Sequence, residues 1–121
     1  MAKHNILGAE GEKLAADFLI KSGYEILERN WRFERKEVDI IARKDKIIAI
    51  VEVKTRSTDY FGLPEESVTL SKQKFLIEAA DEYAQQQDCD IDLRFDIISV
   101  IISGEKTSVN HIEDAFIPLA E

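Results

Sequence analysis

The chain has 121 residues, 45% hydrophobic and 33% charged, which suits one ordinary domain with a real core and excludes a disordered chain. Five Gly and two Pro exclude collagen-like, Pro-rich and linker sequences, and no apolar run approaches the roughly 20 residues of a membrane helix. The net charge of −8 sets the body of the chain against nucleic-acid phosphates, but residues 29–56 carry +4 and the remainder −12, a positive island on an acidic body.

Met1-Ala2-Lys3-His4-Asn5 lacks the charged-then-apolar layout of a signal peptide. The one cysteine, Cys89, forms no internal disulfide and suits a reducing cytoplasm. No repeat or linker interrupts residues 1–121, so they are treated as a single unit. A first helix is predicted over Leu7–Ser22, with Asn5 as N-cap and Gly23 just past its last turn. Its apolar stripe is Leu14, Ala15, Phe18 and Leu19. Three strands follow, Tyr24–Phe33, Glu37–Arg43 and Ile47–Thr55, then a loop from Arg56 to Val68 broken by Gly62 and Pro64. A second helix over Ser71–Gln87 turns Phe75, Leu76, Ala79, Ala80 and Tyr83 inward. Two last strands, Leu93–Ile102 and Thr107–Ile112, flank a turn at Ser103-Gly104-Glu105-Lys106. The α-β-β-β-α-β-β order gives an α/β fold: a central mixed β-sheet of about five strands flanked by helices, with the fourth strand joining the third through the helical crossover.

The hairpin around Asp45-Lys46 is the informative region. With Lys44 opposite Ile47, opposed residue numbers sum to 91, and opposed residues share a face. One face is then apolar: Val38, Ile40 and Ala42 against Ile47, Ala49, Val51 and Val53. The other is apolar near the turn (Ile41, Ile48, Ile50) and charged at its far end, where Asp39 faces Glu52 and Glu37 faces Lys54. Carboxylates opposed at about 5 Å repel unless one is protonated or a cation lies between them, and Mg²⁺ takes such oxygen ligands while retaining waters. The same four residues also fit a solvated hairpin end with ordinary cross-strand ion pairs. Glu12 lies at the edge of the first helix's buried stripe, where it either favours the helix dipole or points toward the same end of the sheet.

Asp39 followed by Glu52-Val53-Lys54 resembles the D…(D/E)xK signature of the restriction-endonuclease-like nuclease superfamily. The wider set of motifs resembles the YraN-like family of small bacterial proteins. It comprises Gly8-Ala9-Glu10-Gly11-Glu12, Gly23-Tyr24, Arg29-Asn30-Trp31-Arg32, Glu37-Val38-Asp39, Val51-Glu52-Val53-Lys54-Thr55-Arg56, Phe61-Gly62 and Arg94-Phe95-Asp96. Lys36 stands where a glycine commonly precedes this acidic element, and Val38 where isoleucine is common; neither change removes a ligand.

The resemblance implies a restriction-endonuclease-like fold similar to the archaeal Holliday-junction resolvases, and a metal-dependent endonuclease acting on DNA, branched, single-stranded or otherwise structured. It implies that Asp39, Glu52 and the Val53 carbonyl hold Mg²⁺ or Mn²⁺, with Glu12 joining directly or through water and Lys54 aligning the attacking water. Arg29, Arg32, Arg35, Lys36, Arg56 and Lys72 are the expected nucleic-acid contacts. Trp31 is either a base-stacking platform or a core residue. Junction-resolving relatives act as dimers on a symmetric substrate, so a homodimer is the implied partner form. The rival readings are a nucleic-acid-binding module without cleavage and a protein-assembly factor, which the acidic balance favours. His4, His111 and Cys89 lack zinc-ligand spacing, the acidic neighbours of Cys89 argue against a reactive thiolate, and Arg94 with Asp96 fits a strand-edge salt bridge.

Overall fold

A computed structural model describes residues 2–57, 68–87 and 90–116, with the backbone alone for residues 2–6. Phe61, Gly62, Pro64 and Cys89 lie outside the described residues, as does the side chain of His4. Helix α1 (Ala2–Lys21) leads into strands β1 (Glu25–Phe33), β2 (Lys36–Lys44) and β3 (Ile47–Arg56). Helix α2 (Leu70–Ala84) and strands β4 (Asp92–Ser103) and β5 (Lys106–Ile112) complete the order. The sheet runs β1-β2-β3-β4-β5. Only β3 and β4 pair parallel; the other neighbours are antiparallel.

Helix α1 begins earlier than predicted, and Asn5 lies inside it rather than capping it; no Pro or Gly precedes Gly8 to stop it. Its far end follows the sequence expectation. Gly23 takes φ 96°, the Tyr24 N–H donates to the Leu19 carbonyl and the Gly23 N–H to that of Ile20. This left-handed close satisfies two carbonyls the helix leaves open. Helix α2 starts on Thr69, whose hydroxyl accepts from the Lys72 N–H at 3.1 Å. It ends at Ala84, short of the predicted Gln87. Glu34 and Asp45 open their two-residue turns at positive φ, where an L side chain is strained but the backbone follows the twist of the strands.

The hairpin register is the one that the apolar pattern requires, from Lys44↔Ile47 to Ile40↔Val51. Ala15, Ala16 and Leu19 of α1 cover Ile40, Ala42, Ala49, Val51, Ile98 and Val100 on one face. Phe75, Leu76, Ala79, Ala80 and Tyr83 of α2 cover Ile41, Ile48, Ile50, Phe95 and Ile97 on the other. Each fully buried Leu or Ile here contributes about 1.5–3 kcal/mol of transfer free energy. Small residues bring α1 close to the sheet. Gly11 comes nearest, since a Cβ there would lie 1.9 Å from Thr55 Oγ1.

Val38 departs from the alternation that its neighbours keep. It packs with the α2 cluster, not beside Ile40 and Ala42 on the α1 side. Strict alternation fails at the intervening Asp39, in the stretch where β1 places Asn30 at φ 51° between the pairs Arg29↔Ile40 and Trp31↔Val38. A left-handed residue in a strand rotates the chain locally, so flanking side chains lose the period-2 relation. Trp31 is a core residue: its ring meets Tyr83 edge-on at 5.2 Å and packs on the α2 cluster.

Candidate functional site

The β2–β3 ladder stops at Ile40↔Val51, so Asp39 and Glu52 are not a cross-strand ladder pair as the extended register implied. The Val53 N–H donates instead to Asp39 Oδ2 at 2.8 Å. A side-chain carboxylate has taken the acceptor position of a strand carbonyl where the backbone ladder ends and the two strands fork. Through this fork, residues from both layers meet. Glu37 likewise turns away from Lys54 and pairs with Arg32 at 3.2 Å.

Glu52 follows Ile48 and Ile50 on the α2 face and is 5% exposed. Its Oε2 lies 3.6 Å from Lys54 Nζ and 3.6 Å from Lys72 Nζ. Among the described residues, its buried Oε1 has no hydrogen-bond partner. Such an oxygen forfeits hydration without recompense, a cost of about 1–3 kcal/mol and more for a charged group. Lys72 sits in the first turn of α2, where a cation works against the helix dipole, and Glu52 offsets that.

Burial, followed by the nearby Glu52 charge, pushes the Asp39 carboxyl up from 3.8 to about 7. The Val53 N–H and the Lys72 charge pull the other way, and Glu12 adds to the rise. Glu12 reaches the fork from α1 and accepts a 2.8 Å hydrogen bond from Asn30 Nδ2. Glu12, Asn30, Asp39, Glu52, Lys54 and Thr55 line a cavity of about 550 Å³.

The structure therefore brings together Glu12, Asp39, Glu52, Val53 and Lys54, and adds Lys72, which the resemblance implies as a substrate contact. Arg29, Arg32, Arg35 and Lys36 are exposed along β1, its turn and the start of β2, while Arg56 ends β3 half-buried. Sequence reasoning missed Asn30 as the partner of Glu12. The signal was an Asn, a residue that tolerates the left-handed region, inside a strand-like run.

Among the described residues no three carboxylate, imidazole or thiol side chains form a ready ligand cluster. The chemistry of the donors nonetheless fits a hard divalent cation. Two carboxylates stand at the fork, one oxygen is orphaned, one carboxyl is proton-seeking, and the cavity has room for the waters such an ion keeps.

A second charged cluster lies on the α1 face of β4. Asp96 is fully buried and accepts from Arg94 Nε at 2.9 Å and Nη2 at 2.8 Å, and from the Asp114 N–H at 3.0 Å. His111 Nε2 lies 2.8 Å from its Oδ2. Burial works against the charge on Asp96, but the contacts with His111, Arg94 and the Asp114 N–H outweigh it and hold the carboxyl below its usual range. The Arg94–Asp96 pair expected from sequence is present, in an interior strand rather than at an edge.

Fold and site define a mixed α/β domain with a carboxylate–lysine cluster at a fork between two antiparallel strands. The family model described as "Uncharacterised protein family UPF0102" matches residues 11–100, and the chain belongs to that family, the YraN-like one whose motifs it carries. It is 49% identical over 116 residues to a UPF0102 protein of Flavobacterium psychrophilum, covering 96% of this chain and 98% of the relative. It is also 47% identical over 118 residues to a UPF0102 protein of Bacteroides thetaiotaomicron, covering 98% of each. No described helix is long and apolar enough to cross a membrane.

Proposed function

We propose that this chain is a metal-dependent endonuclease of the restriction-endonuclease-like superfamily, hydrolysing phosphodiester bonds in branched or otherwise structured DNA. The observation that carries the reading is the buried Glu52 carboxylate, with Oε1 unpartnered, next to an Asp39 whose carboxyl is pushed up to about 7. Without a cation this pair costs stability, and its donor types are those of Mg²⁺ or Mn²⁺ sites. Asp39, Glu52 and the Val53 carbonyl would hold the ion, with Glu12 joining directly or through water. The ion, when bound, supplies Lewis acidity and a water acidified toward neutral pH.

The remaining chemistry belongs to the side chains. The Val53 N–H fixes the Asp39 carboxylate in one orientation. Asn30 does the same for Glu12. Lys54, in ion-pair reach of Glu52, orients the attacking water and offsets charge that builds on the phosphate. Lys72 supplies a second positive charge from the opposite layer. Arg29, Arg35 and Lys36 present exposed cations that fix the DNA backbone in register. A four-way junction is two-fold symmetric, so a homodimer is the expected acting form, in a reducing cytoplasm.

The rival is a nucleic-acid-binding or protein-assembly module that keeps the fold without cleavage. One observation favours it: Lys54 and Lys72 already act as internal counter-ions to Glu52. Labelled single-stranded, duplex, flapped and four-way-junction DNA, incubated with Mg²⁺ or Mn²⁺, separates the readings. The proposal expects cutting by the wild type on structured DNA and at least a hundredfold loss in Asp39→Asn and Lys54→Ala. Cutting that survives both substitutions, or none by the wild type, rejects it.

A further inference from the structure

A cleft of about 460 Å³ lies between the β1–β2 turn and the first half of α2, outside the carboxylate site. Phe33 and Phe75 meet there, with ring centroids 6.0 Å apart and planes tilted by 41°. Phe33 is half-buried and is backed by Trp31, stacked within 10° of parallel, so its ring is held in place. Exposed Arg35, Lys36 and Lys74 stand around this aromatic floor, with the acids Glu34 and Glu78. Lys36 Nζ lies 5.6 Å from the Phe75 centroid. Among the described residues, neither Arg35 nor Lys74 is in ion-pair distance of a carboxylate. In a chain of net charge −8, a cleft with a positive balance and two cations left unpaired fits an anionic ligand.

Lys72 joins this cleft to the carboxylates. Its Nζ is 3.6 Å from Glu52 Oε2 and 5.6 Å from the centroid of the Phe75 ring. On the nuclease reading, a strand with its scissile phosphate beside Lys54 would run past Lys72 toward this cleft. Phe75 is buried, so the half-buried Phe33 ring is the face a base would meet; such a face accepts any base, provided that the base has left its own stack. Bases inside a duplex are stacked and cannot enter.

We propose that this cleft receives an unpaired nucleobase of a DNA strand, with Arg35 and Lys74 holding the adjoining backbone. The placement of the strand rests on the nuclease reading, and it narrows the substrate class to DNA with unpaired nucleotides beside the bond to be cut, such as a flap, gap or opened junction arm. The cleft's preference for an unpaired base can be measured without cleavage.

The test is fluorescence anisotropy in metal-free buffer with two labelled DNAs of equal duplex length, one blunt and one carrying a single-stranded tail. The wild type should bind the tailed DNA at least tenfold more tightly. Phe33→Leu, which keeps apolar volume but removes the ring, should lose most of that preference and leave blunt-duplex affinity within twofold. The exposed double variant Arg35→Glu/Lys74→Glu should weaken tailed binding about tenfold and flatten its dependence on salt. Circular dichroism checks that both variants fold. Equal binding of the two DNAs by the wild type, a preference untouched by both variants, or no DNA binding would overturn the proposal. Asp39→Asn separates it from the nuclease reading, since this variant should lose cleavage and keep the tail preference. Cleavage without tail preference rejects the cleft alone; tail preference without wild-type cleavage rejects catalysis alone.

Discussion

Asp96 stands beside Val51 in the sheet, one residue along from Glu52 on the neighbouring strand, and both carboxylates are buried. Their surroundings differ in kind. Around Asp96, Arg94, His111 and the Asp114 N–H use its oxygens fully, and its carboxyl is held below the usual range. At the fork, Glu52 keeps an oxygen with no partner among the described residues, and Asp39 is pushed up to about 7. The same sheet thus contains one buried anion completed by its own protein and a pair left incomplete. A complete network stabilises and specifies a packing; an incomplete one marks where a ligand is expected.

The largest test of this contrast is at the complete end. Asp96→Ala leaves Arg94 and His111 in the interior without their anion, and should cost about 3–5 kcal/mol, read as the urea-unfolding free energy. A loss below 1 kcal/mol would mean that the Asp96 network is not the structural half of the comparison. On the site side, Gly11→Ala drives a Cβ to 1.9 Å from Thr55 Oγ1 and must push α1 off β3. It should cost about 1–3 kcal/mol and weaken Mg²⁺ binding by carrying Glu12 outward. Unchanged stability and metal affinity would separate α1 from the site.

The two ends should also respond oppositely to pH. Asp39, raised from 3.8 to about 7, retains a proton in the folded state that the unfolded chain has already released within that window. The metal-free protein should therefore lose stability as pH rises from about 4 through 7, and Asp39→Asn should remove that slope. Asp96 acts in the other direction. Its contribution is present above the unfolded carboxylate value and is lost as pH falls through its depressed folded value. Urea midpoints for the wild type and Asp39→Asn between pH 5 and 8 check this, and parallel curves would contradict the account of Asp39. The smallest effect belongs to Asn30→Gly, which keeps the left-handed backbone and deletes the 2.8 Å hydrogen bond to Glu12. Because that bond is exposed and glycine suits the left-handed backbone, stability should change by less than about 0.5 kcal/mol, while on the nuclease reading cleavage slows.

The hairpin register was legible because a one-residue slip would bury charge among Ile40, Ala42, Ala49 and Val51. The inward faces of α1 and α2 and the turn at Asp45-Lys46 followed from local spacing in the same way. The fork was not legible. It depends on Asp39 replacing a strand carbonyl as the acceptor for Val53, and on Asn30 entering the left-handed region, and neither has a periodic signature. The reach of Lys72 onto Glu52 depends on where α2 crosses the sheet. The Asp96 network combines β4 and β5 with the residue just before β1, Tyr24, bonded to Arg94 from 70 positions away, which spacing along the chain cannot show.

The most direct measurement is the unfolding free energy of the wild type and Asp39→Asn at pH 7.5, in Mg²⁺ and in chelator at matched ionic strength. A cation that completes the Asp39–Glu52 pair binds only the folded state and stabilises by mass action. The account predicts that Mg²⁺ at about a hundred times its dissociation constant stabilises the wild type by about 2.7 kcal/mol and leaves the variant unchanged. Equal stabilisation of both proteins, or none in the wild type at any Mg²⁺ or Mn²⁺ concentration, would contradict it.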